Sequence, residues 1–176
     1  MKKILALTLI SALMAGCGGD GGGSNDSSVN KPDNGNGTGT PSGEATVLEG
    51  TWNKPCGLVP DSGHYDIITH TYTGNQFYTS IENYTDANCT TLFPEGGNPT
   101  ASGYFTLGGK VVTGSGVTAT EEDSHITEYD GAPFDVHEYT IFLIDNDTLY
   151  YGDGEADAPE QRPTQLDYHR AYYRVN

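Results

Sequence analysis

Glu138-Tyr139-Thr140-Ile141-Phe142-Leu143-Ile144-Asp145-Asn146-Asp147-Thr148-Leu149-Tyr150-Tyr151 is the stretch that decides the fold. β-Branched and aromatic residues run to Ile144, stop at Asn146-Asp147, and resume at once. A two-residue loop of residues that tolerate positive φ joins antiparallel neighbours through a type I′ or II′ turn. Tyr139, Ile141 and Leu143 fall on one face of the first run, Phe142 and Ile144 on the other. A strand that is apolar on both faces is a central one, covered on both sides.

The same punctuation recurs outward from this hairpin. Gly74-Asn75 separates Tyr72-Thr73 from Gln76-Phe77, and Gly108-Gly109 separates 104–107 from 110–113. Both spacings predict tight hairpins. Strands are expected at 47–54, 65–73, 76–84, 103–107, 110–113, 117–120, 125–129, 138–144, 148–151 and 168–175. No amphipathic helical run exceeds two turns. Residues 44–176 therefore read as one all-β domain, an antiparallel up-and-down meander. About eight such strands either close into a barrel, which leaves no unpaired edge, or form a β-sandwich.

Gly50-Thr51-Trp52 in the first strand resembles the Gly-x-Trp that opens lipocalins, barrels of eight up-and-down strands. That resemblance implies that an arginine of the last strand stacks over the tryptophan and seals the barrel floor. Arg170 and Arg174 both occupy the expected final strand, so Gly50, Trp52, Arg170 and Arg174 form the expected closure set. A guanidinium over an indole contributes roughly 0.5–2 kcal/mol. Segments 84–90, 147–153 and 162–168, with Cys56 and the hairpin around Gly74-Asn75, resemble uncharacterised bacterial secreted domains of lipocalin-like fold. That broader likeness implies no known activity.

The chain begins with Lys2-Lys3, an apolar stretch from Ile4 to Met14, and Ala15-Gly16 before Cys17. A charged head, a short apolar run and small residues before a cut site read as a secretory signal over 1–16. Eleven helical residues rise only ~16 Å, too little for a bilayer core of about 30 Å. Leu13-Met14-Ala15-Gly16-Cys17 resembles the lipobox of bacterial lipoproteins, which implies acylation of Cys17 and a membrane anchor. Gly18, in place of the aspartate associated with inner-membrane retention, favours an outer-membrane destination on either leaflet. Residues 17–43, rich in Gly, Ser and Asn, read as a flexible tether. The 26 residues after Cys17 span about 25–30 Å on average.

The chain carries 24 acidic against 8 basic side chains, a net charge of −16. Removal of the signal leaves six basic residues and a net charge of −18. A surface so acidic argues against nucleic acid, which requires a basic face. With Cys17 acylated, Cys56 and Cys89 remain, and in an oxidising compartment they are expected to pair as a structural disulfide. No C-x-x-C spacing supports a metal or redox role.

Candidate chemistry is sparse. Asp61-Ser62-Gly63-His64 with Asp66 holds the residue types of a serine hydrolase, crowded too closely to form a triad. The five histidines are scattered, and none forms a His-x-x-x-His pair. His125 with Glu121, Glu122, Asp123 and Glu128 is a divalent set whose plainer reading is a solvated strand edge. Asp153, Glu155 and Asp157, with Asp145, Asp147 or Glu160 in reach, form an acidic loop suited to calcium. Ala158 and Thr164 break the EF-hand pattern there. The expectation is no metal and no cofactor beyond the covalent lipid, with calcium the weak exception.

Twelve tyrosines remain, and Tyr65, Tyr72, Tyr151, Tyr168 and Tyr172 are the candidate recognition residues. Tyrosine offers apolar area and a hydroxyl at small entropic cost, which suits a binding surface and equally a half-buried strand. Tyr168, Arg170, Tyr172 and Arg174 are expected on one face of the last strand. The expected function is non-catalytic: an outer-membrane-anchored barrel binding a small amphipathic ligand in its mouth. The alternative is a filled-core interaction or assembly module for another cell-envelope protein. The state of the lumen separates the two.

Overall fold

A computed structural model describes residues 45–154 and 156–176. The signal over 1–16, the lipidation site Cys17 and the tether lie outside the described residues, as does Glu155. Eight strands follow in chain order: β1 (Gly50–Leu58), β2 (Tyr65–Thr73), β3 (Gln76–Tyr84), β4 (Thr100–Val112), β5 (Thr118–Tyr129), β6 (Ala132–Asp145), β7 (Thr148–Tyr151) and β8 (Tyr172–Val175). Each pairs antiparallel with the next, and β8 returns to β1 through Thr51–Val175, Trp52–Arg174 and Asn53–Tyr173. The sheet is a closed up-and-down barrel, not a sandwich. Among the described residues, no helix is long and apolar enough to cross a membrane.

The turns at Gly74-Asn75 and Asn146-Asp147 join β2 to β3 and β6 to β7 as the spacing predicts. Asn146 carries the positive φ of 54° that such a turn requires. Gly108-Gly109 is different. It is not a hairpin but a bulge inside one long β4, where the register against β5 shifts between Leu107 and Lys110. A Cβ at Gly108 would lie 2.9 Å from the Glu121 Cβ, so the glycine admits a cross-strand side chain. Segments 117–120 and 125–129 are likewise one strand, β5. The last strand is shorter than its alternation suggests, and Tyr168 and Arg170 precede β8 in a turn and a bend.

Strand alternation places Trp52, Ile68, Tyr72, Phe105, Phe142, Leu149 and Tyr172 inside, all buried. Leu48, just before β1, plugs the same end and is fully buried. Outside, Ile141 and Ala119 are buried beneath Leu166. The cover is the connection from β7 to β8, bridged back at Tyr139–Ala156 and Gly152–Leu166. Arg162 pins it: its Nη1 donates to the Glu122 and Thr140 carbonyls, both at 2.8 Å, and Nη2 reaches Asp123. This cover explains why β6 is apolar on both faces.

Candidate functional site

The floor of the barrel settles the closure set. The Arg174 guanidinium lies 4.1 Å from the Trp52 ring, and the indole Nε1 donates to the Leu48 carbonyl at 2.7 Å. Arg174 also donates to the Glu49 carbonyl at 2.6 Å, tying the chain entering β1 to the chain leaving β8. Gly50, at φ 108°, would place a Cβ 3.1 Å from the Arg174 Nη1, so glycine makes room for the cap. Arg170 does not share this role. It stands outside any strand, 3.9 Å from Asp66, because the turn before β8 carries it away from the indole. Of the two candidate arginines, Arg174 is the one that caps the indole.

Above the floor the lumen turns polar. Lys54 and Asp66, from the paired strands β1 and β2, form an ion pair with side chains 7 % and 5 % exposed. The Lys54 ammonium also donates to the Asp66 carbonyl at 3.2 Å. His70 bonds the Thr79 hydroxyl through Nδ1 at 2.7 Å, and its ring lies 4.9 Å from Tyr172 and 5.7 Å from Tyr151. Burial, with the Arg170 charge second, lowers the His70 pKa to about 4. The ring is therefore neutral near pH 7.

The Tyr72 and Tyr151 hydroxyls are hydrogen-bonded to each other across the lumen, and burial raises both pKa values well above the ordinary phenol range. Glu122 completes the cluster from β5. Its Oε1 accepts the Ser124 hydroxyl at 3.0 Å, and the Tyr72 hydroxyl is a second hydrogen-bonding neighbour of the carboxyl. Burial raises its pKa to about 7, and the nearby Glu138 and Asp123 charges push the same way.

Three of the five candidate tyrosines, Tyr72, Tyr151 and Tyr172, meet here. The other two do not. Tyr65 lies on the outer face of β2, opposite Tyr84. Tyr168 is half exposed on the outside, its ring 5.0 Å from Tyr150. Sequence reasoning missed His70, Glu122, Lys54 and Asp66 as lumen residues. Their even-numbered alternation with Ile68, Tyr72, Thr120 and Trp52 was the available signal.

The remaining candidates disperse. The Ser62 hydroxyl donates to the Val59 carbonyl at 2.8 Å and Asp66 points inward to Lys54, so the Asp61–His64 loop assembles no relay. Three of the four carboxylates grouped with His125 by sequence, Glu121, Glu122 and Asp123, are engaged elsewhere. Glu122 faces the lumen, whereas Glu121 and Asp123 pair with Arg162 at 3.6 and 2.5 Å. Asp153 and Asp157 are exposed beside the undescribed Glu155. Cys56 and Cys89 are joined, with Cα atoms 5.8 Å apart.

Two of the recesses among the described residues bear on the choice. One of about 180 Å³ sits at the rim, lined by Val47, Lys110, Thr118, Thr120 and Phe142 among others. The other, about 260 Å³, lies on the outer wall across β2 to β5, lined by Thr71, Thr73, Tyr78, Ser102, Tyr104 and Thr127 among others. Both fall below the roughly 300–1,000 Å³ of ordinary small-molecule sites. No family model and no curated protein matches this chain.

Proposed function

We propose that this chain is a lipid-anchored protein of the bacterial outer membrane whose lipocalin-like barrel is a non-catalytic interaction module. The observation that carries the choice is the lumen. Its floor is filled by Leu48, Trp52, Phe142 and Leu149, and its middle by the Tyr72–Tyr151–Glu122 cluster. A small barrel filled by its own side chains leaves recognition to the outside. There Tyr78 and Tyr104, each about half exposed, flank the hydroxyl-lined recess of the wall. Anchorage rests on the signal and the resemblance of residues 13–17 to a lipobox.

The test places a photo-crosslinking residue at position 78 or, as a control on the same barrel, at position 112, in the native host. A protein adduct from 78 and not from 112, abolished by Tyr104→Ala, supports the reading. Equal adducts from both positions, or none, reject it.

One observation favours a second reading, in which the lumen takes a small amphipathic molecule. Glu122 is a fully buried carboxyl on the lumen face, held only by the Ser124 and Tyr72 hydroxyls, and such a group suits a ligand donor. Small molecules retained through native purification and lost on Glu122→Gln would select it.

A further inference from the structure

The outer face of the β5–β6 hairpin brings together two histidines and a carboxylate from its two strands. His125 on β5 pairs directly with His137 on β6, and their rings stack with centroids 4.2 Å apart and planes 12° from parallel. Asp135 lies two residues before His137, on the same face by strand alternation, and its Oδ1 accepts from the His125 Nε2 at 2.8 Å. One donor atom from each of the three side chains lies within 4.8 Å of the others.

We propose that His125, His137 and Asp135 form a surface site for a divalent transition ion of borderline softness, Zn²⁺ or Cu²⁺. Imidazole and carboxylate are the donors such ions take, at about 2.0–2.2 Å. Two donors at that distance from one ion stand about 3 Å apart when the angle is near 90°, close to the spacing His125 and Asp135 already show. The stacked rings do not yet converge, because a metal lies in the plane of each imidazole it binds. Loading therefore swings the His137 ring out of the stack about χ2. His137 is exposed, so the swing displaces only water. Aspartate and two histidines leave coordination positions open to solvent, the pattern of an exchangeable ion and not of a structural one. A hard ion such as Ca²⁺ or Mg²⁺ is disfavoured, since the set offers one carboxylate and no carbonyl cage.

The experiment is calorimetric titration of the full chain with Zn²⁺ and Cu²⁺, with Mg²⁺ as the hard control. Wild type is expected to take one ion of either transition metal, and His125→Ala and His137→Ala each to weaken it at least about tenfold. Copper supplies a second readout, because paramagnetic Cu²⁺ selectively broadens the resonances of nearby histidines. Those of His125 and His137 should vanish before those of His64 and His169. Affinity unchanged in both histidine variants, broadening centred elsewhere, or no uptake by folded wild type would each overturn the assignment. Because the side chains stand on the outer face, both variants should melt like wild type, and broadening of wild type alone decides the question if either does not.

Discussion

The two halves of the lumen are built on the same strands and do opposite things. At the floor, Trp52, Phe142, Leu48 and Leu149 are almost wholly buried and apolar, and the polar cap, Arg174, sits over the indole face with donors on the Glu49 carbonyl and the Asp147 carboxylate. On the same inward faces stand Lys54, Asp66, His70 and Glu122, with His70 directly opposite Trp52 in the ladder. Apolar burial stabilises by roughly 25 cal/mol per Å² wherever it occurs. Buried charge stabilises only when it is paired. The floor thus holds the ring shut, and the polar half is where pH acts.

The largest effect is expected at the floor. Trp52→Ala should lower stability by about 3–5 kcal/mol in urea unfolding, through the cavity it leaves. A loss below about 1 kcal/mol would mean that the indole is not the keystone. In the polar half, Lys54→Met strands Asp66 beside the more distant Arg170 and should cost about 3–5 kcal/mol. Lys54→Met with Asp66→Leu should recover most of that loss. Failure of the double variant to recover would show that the pair is held by more than mutual neutralisation.

The pH dependence sharpens the contrast further. Glu122 titrates at about 7 in the fold against an ordinary 4.5, so the folded state holds the extra proton and stability falls as pH rises between those values. His70 titrates at about 4 against an ordinary 6.5, so the unfolded state holds the extra proton and stability rises over that window. Where the windows overlap, the two slopes of about 1.4 kcal/mol per pH unit oppose each other. Glu122→Gln should therefore make stability climb more steeply from pH 4.5 to 6.5 than in wild type, and His70→Asn should make it fall. Parallel profiles for all three proteins would deny the burial of both groups.

The smallest effect separates the two arginines. Arg174→Ala should cost about 0.5–2 kcal/mol for the lost cation–π contact, together with its carbonyl bonds. Arg170→Ala should cost less, because Lys54 already neutralises Asp66. Equal losses would remove the assignment of Arg174 as the cap.

These contrasts show which features the sequence makes legible. Asn146-Asp147 and Gly74-Asn75 declare hairpins because turn chemistry is local. Gly108-Gly109 has the same chemistry but serves a bulge, since what demands small residues there is the Glu121 side chain on the neighbouring strand. The polar run Glu121 to Ser124 reads as a break between strands. It is mid-strand because Arg162, some 40 residues later, holds the outward carboxylates while Glu122 and Ser124 face inward. Choosing Arg174 over Arg170 needed the register of β8 on β1, and the Asp135–His137 spacing needed His125 opposite before it meant anything. Contacts between distant strands are what a single sequence conceals.

The most direct test of the filled lumen is native mass spectrometry of the full chain purified from its host without denaturation. The expected mass is that of the chain with the proposed lipid and metal ion, and no other organic molecule in stoichiometric amount. A stoichiometric organic ligand, released by Glu122→Gln while the barrel stays folded, would contradict it.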